Sequence, residues 1–374
     1  MSAPPGPAVG TLRVPDAATP ALRALLTDFI AGRKSALARA VSIVENHRAG
    51  SDLLLAACHP LLGRARRIGI TGPPGAGKST LTTLLAESYL ESGFSVGVVA
   101  VDPTSPFTGG ALLGDRVRME RVALHPNVFI RSMATRGSLG GLAATTREVC
   151  DVLDGFGVDR IVVETVGVGQ SELDIARLAD TSTVVLVPES GDSIQTLKAG
   201  VMEIADIFVV NKADRPGADR MRNDIELMLG LRSGATMKDT PAHHGVDLRH
   251  LDPKRVAREA AARDDADRWT PPVLRTVGVT GDGLSEFVGA LDRHFGYLER
   301  SGTLQARRLS RLRERVVDVV EQRVRRRFWS DAGTLDWLEA QLPALARGET
   351  TPLAVAEALI VRSVAAGTLT GTSL

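Results

Sequence analysis

Residues 72–79 read Gly-Pro-Pro-Gly-Ala-Gly-Lys-Ser and follow directly on the β-branched run Arg67–Thr71. The helix-like segment Thr80–Tyr89 comes next, so the order is strand, glycine-rich loop and helix. A G-x-x-x-x-G-K-S/T loop in this context is typical of proteins that bind the phosphates of a nucleoside triphosphate. Its backbone amides face the phosphate oxygens from a helix N-terminus, where the helix dipole also favours negative charge. The stretch predicts an α/β P-loop fold.

Each residue of this loop has an expected part in holding the phosphates. Lys78 is predicted to be catalytic, because its charge reaches the β- and γ-phosphates, and the Ser79 hydroxyl is predicted to bind Mg²⁺. The predicted nucleotide-binding residues of the loop are Gly72, Pro73, Pro74, Gly75, Ala76, Gly77, Lys78, Ser79 and Thr80.

A second motif, Asn-Lys-Ala-Asp at 211–214, follows the short apolar run Ala205–Val210. The carboxylate of Asp214 can accept two hydrogen bonds from a guanine base, whereas adenine offers no such donor pair. A site built around such bonds discriminates strongly, because the wrong base leaves a polar group unpaired. Asn211 is expected to fix the loop and the stem of Lys212 to cover the base. The nucleotide is therefore predicted to be GTP or GDP.

The composition is that expected of a cytoplasmic enzyme. Across 374 residues, Lys and Arg number 45 against 44 Asp and Glu, so no basic excess points to a nucleic-acid partner. Cys58 and Cys150 are isolated, and we expect buried free thiols. The first residues lack the charged and apolar regions of a signal peptide, and no apolar run is long enough for a membrane span.

The chain divides into four predicted parts. Residues 1–19 are rich in Pro, Ala and Gly and are expected to be disordered, and residues 20–63 show helical spacing of apolar residues. Between residues 64 and 300, apolar runs alternate with helical segments, which indicates a mostly parallel sheet covered on both faces. The predicted strands are Arg67–Thr71, Ser95–Val101, Val128–Arg131, Arg160–Glu164, Ser182–Pro188, Ala205–Asn211 and Val273–Val279.

The fourth part, residues 301–374, is predicted to be a helical arm that forms a homodimer. Apolar residues from Leu309 to Phe328 follow the spacing of one helix face, and arginines crowd the other face. Further helices are expected at about Ser330–Leu345 and Pro352–Ala365. Since the α/β domain is already complete, this stripe needs another surface to cover it. The alternative is that the stripe folds back on the N-terminal helices of the same chain.

Four longer segments identify a family. They read DPTSPFTGGALLGDRVRM at 102–119, FIRSMATRGSLGGL at 129–142, VETVGVGQSE at 163–172 and PESGDSIQ at 188–195. With the two nucleotide motifs, they closely resemble the MeaB-type GTPases of the SIMIBI class of P-loop proteins. The family's members are G-protein chaperones of adenosylcobalamin-dependent acyl-CoA mutases, methylmalonyl-CoA mutase above all. Their human counterpart is the methylmalonic aciduria type A protein.

Acidic residues in these segments are predicted to hold the metal. Asp102 ends a strand that faces the phosphate loop, and Asp115 lies in a glycine-rich segment. The resemblance implies that acidic residues at these positions and at Glu164 surround the metal, so Ser79, Asp102, Asp115 and Glu164 are the predicted Mg²⁺ ligands. The amide of Gly167 is expected to approach the γ-phosphate. Glu164 is also predicted to be catalytic, as is Gln170, the nearest candidate to orient the attacking water. The resemblance implies that these segments are switches I and II.

Other polar residues receive less definite interpretations. The segment Glu189–Lys198 resembles the family's third switch, where Lys198 is either an exposed helix lysine or a contact to phosphate or partner. Arg131 and Arg136 either neutralise phosphate or partner charge or lie on the surface. His243 and His244 lack the neighbours of a metal site and are expected to be a loop pair.

The base-binding loop departs from the family pattern. Where the family usually has Thr-Ser-Ala, this chain has Thr276-Val277-Gly278, followed by Val279. The Gly278 amide can still donate to the guanine O6, but Val277 lacks the serine hydroxyl. Val277, Gly278 and Val279 are predicted to contact the base, with guanine selectivity resting on Asp214.

Three functions are compatible with these features. The leading one is a slow GTPase that gates cofactor loading and protects a B12-dependent acyl-CoA mutase. The second is a P-loop kinase or a transport ATPase, which the guanine motif disfavours. The third is a metallochaperone GTPase that inserts nickel or delivers zinc, although the chain has no CxxC pair and no His-rich tract.

Overall fold

The computed structural model of the chain describes residues 12–103, 119–135, 141–165, 171–188, 203–233 and 269–365. The structure consists of two compact units. The first ends at Ala306 and the second begins at Arg307. The helices of the first unit are α1 Pro20–Ile30, α2 Lys34–Glu45, α3 Ser51–Cys58, α4 Lys78–Glu91, α5 Glu120–Ala123, α6 Gly141–Phe156, α7 Ser171–Leu178, α8 Ala218–Ser233 and α9 Leu284–Arg300.

A seven-stranded sheet forms the centre of the first unit. Its strands are β1 Arg66–Thr71, β2 Val96–Pro103, β3 Val128–Thr135, β4 Arg160–Thr165, β5 Thr181–Leu186, β6 Ile207–Val210 and β7 Val273–Arg275. Their order is β3-β2-β4-β1-β5-β6-β7, and every pairing is parallel. The expected doubly covered parallel sheet is confirmed. All carboxyl ends therefore meet at one edge, where such sheets bind ligands.

The limits of all seven strands differ from the predicted ones, by one or two residues at an end in most strands and by four in β3 and β7. β2 and β3 run on to Pro103 and Thr135, because the polar residues at their ends still pair in register. β7 stops at Arg275 instead of Val279. The chain turns there, since the Val277 amide donates to the Asp282 carbonyl at 3.0 Å in a local antiparallel bridge. A run of apolar residues does not reveal such a turn.

The two faces of the sheet are covered by different helices. Ile70 on β1 packs with Leu81 and Leu85 of α4 and with Phe287 of α9. The opposite face packs against α6 and α7, with the N-terminal helices outside them. Phe29 of α1 meets Phe156 of α6 edge to face, with ring centroids 5.1 Å apart. Residues 20–58 thus extend the core of the first unit.

A buried ion-pair cluster joins α6 to the start of β1. The Arg67 guanidinium donates to Asp151 at 2.8 Å and to Asp154 at 3.1 Å. Asp154 also accepts the amides of Gly63 and Ala65. Burial alone lowers the pKa of Arg67, but the two carboxylates outweigh it and raise that pKa above its usual range. The buried charges of this cluster are paired and hydrogen-bonded, and the cluster fixes the position of the start of β1 in the sheet.

At the amino edge of the sheet, a buried histidine links α9 to two strands. Thr181 Oγ1 lies 2.8 Å from His294 Nδ1, and His294 Nε2 lies 3.3 Å from the Asp206 carboxylate. The Trp269 ring packs against the imidazole at a tilt of 53°, with centroids 4.7 Å apart, and its indole N–H donates to the Asp206 carbonyl at 2.8 Å. These contacts close the end of the unit opposite to the nucleotide motifs.

The second unit is helical. It consists of α10 Thr303–Ser330, which begins at the end of the first unit, followed by α11 Ala332–Ala346 and α12 Pro352–Ala365. Asp331 caps α11 by accepting the Thr334 amide at 2.8 Å. The α10 side chains of Leu309, Val316 and Val320 are 69%, 63% and 54% exposed. None of the helices in the described ranges is long and apolar enough to cross a membrane.

Candidate functional site

The phosphate loop lies between β1 and α4, and its lysine points into it. Lys78 is the first residue of α4 and is only 6% exposed. Its Nζ donates to the carbonyls of Gly72 at 2.8 Å and Pro73 at 3.0 Å. The ammonium is therefore held inside the concave side of the loop. A phosphate bound to the loop amides would meet this charge in a partly desolvated setting.

Two glycines of the loop are required by close contacts. Gly72 has a φ of 138°, and a Cβ there would lie 2.0 Å from the Val185 carbonyl on β5. Gly77 has a φ of 86°, and its Cβ would lie 2.3 Å from Asn211 Nδ2. Both positions combine a backbone conformation that L residues avoid with a neighbour that cannot give way. The glycine spacing of the loop follows from this packing.

A hydroxyl and a carboxylate meet beside the loop. Ser79 Oγ donates to Glu164 Oε1 at 2.6 Å, and Glu164 is 7% exposed at the carboxyl end of β4. Oxygen ligands of this kind, with one carboxylate, suit Mg²⁺, which keeps several of its waters. The pair fits the predicted metal site: Ser79 and Glu164 would hold Mg²⁺, which would supply positive charge beside the phosphates.

Asn211 joins the phosphate loop to the predicted base loop. It follows β6 and is 2% exposed. Its Nδ2 donates to the Ala76 carbonyl at 2.8 Å, and its Oδ1 accepts the Thr276 hydroxyl at 3.0 Å and the Gly278 amide at 3.1 Å. One side chain thus satisfies groups from two loops that are 200 residues apart in the chain. The expectation that Asn211 fixes its loop agrees with these contacts.

Next to Asn211, Lys212 is half-buried and Asp214 is exposed. Lys212 adopts a left-handed backbone conformation, with a φ of 55°. Such a conformation is uncommon outside glycine and is found where the surroundings enforce it. It turns the chain so that the Ala213 amide donates to the Thr276 carbonyl at 3.0 Å. Asp214 is exposed beyond it, where a base could be reached.

The base loop holds its shape through its own hydrogen bonds. The Val277 carbonyl accepts the amides of Thr280 at 3.1 Å and Gly281 at 2.8 Å. Gly278 packs against Thr80, since a Cβ there would lie 3.2 Å from the threonine methyl. Its amide, which the sequence assigns to guanine O6, donates to Asn211 in this structure. Val279 is 94% exposed at the tip of the loop.

Several predicted site residues lie outside the described ranges. The backbone of Asp102 pairs in register with Ala134 at the carboxyl end of β2, but its side chain is not among those described. The residues that lie wholly outside those ranges are Asp115, Arg136, Gly167, Gln170, Lys198, His243 and His244. Their predicted roles stay predictions.

Arg131 has a structural partner. Its Nε donates to Glu45 Oε2 at 2.8 Å, and a second guanidinium nitrogen contacts the same carboxylate oxygen. Glu45 is the last residue of α2, so the ion pair attaches the N-terminal helices to β3. This contact supports a structural role for Arg131 over a phosphate contact. This ion pair could not be predicted from the sequence, because the two partners are 86 residues apart.

The sequence motifs also missed three groups that complete the site. These are the Ala76 carbonyl, the Thr276 hydroxyl and the buried Thr71–Thr165 pair, whose hydroxyls lie 2.9 Å apart. Thr165 directly follows Glu164, and Thr71 directly precedes Gly72. A threonine at a strand end is ordinary in sequence, so only the register of the sheet reveals the pair.

Comparison with known families gives one match over most of the chain. A family model described as methylmalonyl Co-A mutase-associated GTPase MeaB matches residues 37–333. A putative GTPase of Pyrococcus horikoshii is 46% identical over 289 residues, which cover 77% of this chain and 82% of that protein. A probable GTPase of Mycobacterium tuberculosis is 38% identical over 346 residues, or 90% of this chain and 93% of the other.

A mitochondrial protein and a solved structure extend the comparison. The mouse protein named methylmalonic aciduria type A homolog is 30% identical over 318 residues, covering 81% of this chain and 70% of its own length. A crystal structure described as LAO/AO transport system kinase is 25% identical, with a TM-score of 0.61, and covers 91% of this chain and 97% of that one. The P-loop fold is thus shared along nearly the whole chain.

Proposed function

The chain belongs to the MeaB family of methylmalonyl-CoA mutase-associated GTPases, and from this premise we propose that it is the G-protein chaperone of a B12-dependent acyl-CoA mutase. It is a P-loop GTPase that binds guanine nucleotides. In the proposed role, GTP hydrolysis gates adenosylcobalamin loading and protects the mutase, with methylmalonyl-CoA mutase as the first candidate.

The observation that carries this proposal is the extent of the family match. Residues 37–333 include the phosphate loop, the base motif and most of the N-terminal helix α2, so the likeness is not confined to a nucleotide fold shared by many enzymes. The relative named for methylmalonic aciduria type A covers a similar share of the chain. Fold alone would not support a function, but a match through the site does.

The geometry supports hydrolysis by positioning and charge. Lys78 brings a buried positive charge to the loop, and the Ser79–Glu164 pair supplies the oxygens that fit Mg²⁺. The hydrogen bonds of Asn211 connect the base loop to the phosphate loop. Phosphoryl transfer needs little more than such placement, and the water-orienting residue sets the rate. We propose that Gln170 has this role and that intrinsic turnover is slow until the mutase binds.

Assembly and location are part of the same proposal. The exposed apolar residues of α10 would be covered by a second copy of the chain, giving a two-fold dimer. We place the protein in the cytoplasm with its mutase. Mg²⁺, held by Ser79, Glu164, Asp102 and Asp115, is the proposed metal cofactor.

The proposal is tested by measuring GTP turnover with and without the partner. The protein is mixed with purified methylmalonyl-CoA mutase from the same organism, and binding is followed with GDP or a non-hydrolysable GTP analogue present. We expect nucleotide-dependent binding and faster phosphate release, by about tenfold or more, since a partner that supplies transition-state charge gives at least that. If neither this mutase nor another adenosylcobalamin-dependent acyl-CoA mutase binds or accelerates turnover, the chaperone role is wrong.

Two variants serve as controls for that experiment. Lys78→Ala and Ser79→Ala should abolish Mg²⁺-dependent GTP hydrolysis, alone and with mutase, while the circular dichroism spectrum stays that of the wild type. Mant-GDP against mant-ADP binding separates the proposal from a kinase or transport ATPase, because Asp214 selects guanine. Metal analysis of the purified protein separates it from a nickel- or zinc-inserting GTPase, which would carry its cargo metal.

A further inference from the structure

The carboxyl ends of β1 and β4 carry one side-chain contact that the nucleotide motifs do not explain. β1 and β4 pair in register from Arg66 opposite Arg160 to Ile70 opposite Glu164, so Thr71 lies next to Thr165. Thr165 Oγ1 donates to Thr71 Oγ1 at 2.9 Å. The two residues are 0% and 3% exposed, and water cannot take the place of either partner.

The pair lies between the two halves of the phosphate machinery. Thr71 is followed by Gly72, whose carbonyl accepts from Lys78, and Thr165 is preceded by Glu164, which accepts from Ser79. Because side chains alternate along a strand, Glu164 faces α4 while Thr165 faces the other side of the sheet. The hydroxyl bond therefore ties the two strand ends together on the face opposite to the Ser79–Glu164 contact.

The helix that follows Thr165 returns to the same strand. A Cβ on Gly69, two residues before Thr71 on the same face, would lie 2.4 Å from Ile175 Cγ1 of α7 and 2.9 Å from the Ala179 methyl. α7 therefore rests directly on the backbone of β1. The chain leaves β4 at a residue bonded to β1 and comes back to β1 one helix later.

We propose that Thr71 and Thr165 are positioning residues that couple the phosphate loop to the carboxyl end of β4, where Glu164 lies. A change in the position of Thr165 is passed through the hydroxyl bond to the residue before Gly72, and the reverse also holds. The pair acts through Gly72 and Glu164 and does not itself touch substrate. Its stabilising effect on the fold is small, since replacing both hydroxyls by methyl groups of the same shape is close to neutral.

The test uses isosteric variants of the full chain and intrinsic GTP hydrolysis without any partner. Thr71→Val and Thr165→Val are each expected to lower kcat by about 3- to 10-fold, the worth of one buried hydrogen bond, with mant-GDP affinity within about twofold of wild type. The double variant should lose no more than either single one, because the same bond is removed. Thr165→Ser, which keeps the hydroxyl, should retain most of the activity.

Thr183→Val is the matched control. Thr183 lies on β5 beside β1, is fully buried, and its hydroxyl has no hydrogen-bond partner among the described residues. Its removal should leave kcat unchanged. Thermal unfolding of every variant shows whether the fold is kept. Additive losses in the double variant, an equal loss in Thr183→Val, or a GDP affinity and melting temperature of the double variant that fall in step with its kcat would each overturn the coupling role. Because no mutase is present, these outcomes do not depend on the chaperone proposal.

Discussion

At the scale of single residues, we propose that Asp214 determines the choice of base. It is exposed at the end of the turn that Lys212 makes, and Asn211 fixes that turn from beneath. Asp214→Asn should weaken mant-GDP binding by roughly 100-fold or more, since two hydrogen bonds to a charged group are lost. The same variant should gain affinity for xanthosine diphosphate, whose base offers the complementary group. Competition binding with both nucleotides measures the exchange.

One result would contradict the proposed role of Asp214. A variant that binds GDP as tightly as the wild type would show that another residue reads the base. Asp219→Asn is a suitable control, because this carboxylate lies five residues further on and pairs with Arg275 at 2.7 Å. It should leave the preference for guanine intact.

Some residues of the site could be predicted from the sequence, and others could not. Lys78, Ser79 and Asn211 follow from motifs, because their chemistry is local to a loop and a helix end. The Ala76 carbonyl, the Thr276 hydroxyl and the Thr71–Thr165 pair depend on which strands are neighbours. No single segment of the sequence specifies the strand order β4-β1-β5, so these hydrogen-bond partners could not be predicted.

At the scale of elements, α3 and α6 pack closely around the two cysteines. Gly155 of α6 lies so near Cys58 that a Cβ there would come within 3.0 Å of the cysteine Cβ. Burial, followed by the charge of Asp151, raises the pKa of Cys58 to about 12. Burial also raises the pKa of Cys150 to about 12, against the opposing charge of Arg67. The expected buried free thiols are present.

This packing predicts a loss of stability at high pH. The unfolded thiols ionise near pH 9, whereas the folded ones stay protonated to about 12. Their contribution is therefore complete below pH 9 and is lost as the pH rises toward 12, by about 1.4 kcal/mol per pH unit for each thiol. Urea unfolding at pH 7.5 and 10.5 should show a smaller loss for Cys58→Ala/Cys150→Ala than for the wild type. Equal losses would mean that the thiols are not desolvated.

The strands were the predictable elements and their ends were not. All seven predicted runs correspond to strands, because a parallel strand covered on both faces must be apolar along its length. The ends follow hydrogen bonding instead. β7 is shortened by the bridge from Val277 to Asp282, and β3 extends past Arg131 because its backbone continues to pair with β2.

At the scale of the whole molecule, we propose that dimer formation depends on the second unit. The apolar faces of α1 and α2 are buried within the first unit, on the side of α6. Leu309, Val316 and Val320 of α10 are exposed in the single chain. We expect light scattering to give a dimer for the full chain at micromolar concentration and a monomer for a chain ending at Ala306, where the first unit ends.

Point variants make the same test without truncation. Val316→Asp with Val320→Asp should produce a monomer that still binds mant-GDP, because a charge on the covered face is costly to bury. Arg313→Ala changes an exposed residue of the same helix and should remain dimeric. A monomeric wild type, or a chain ending at Ala306 that still dimerises, would rule out the helical arm as the interface.

The position of Trp269 has a spectroscopic consequence. This indole donates to the Asp206 carbonyl and packs against His294 at the amino edge of the sheet, whereas the phosphate loop follows the carboxyl end of β1. The other two tryptophans, Trp329 and Trp337, belong to the helical second unit. Nucleotide binding should therefore leave the emission of Trp269 almost unchanged, while unfolding of the sheet shifts it to the red. The emission of Trp269 therefore reports whether the first unit is folded and does not report whether nucleotide is bound.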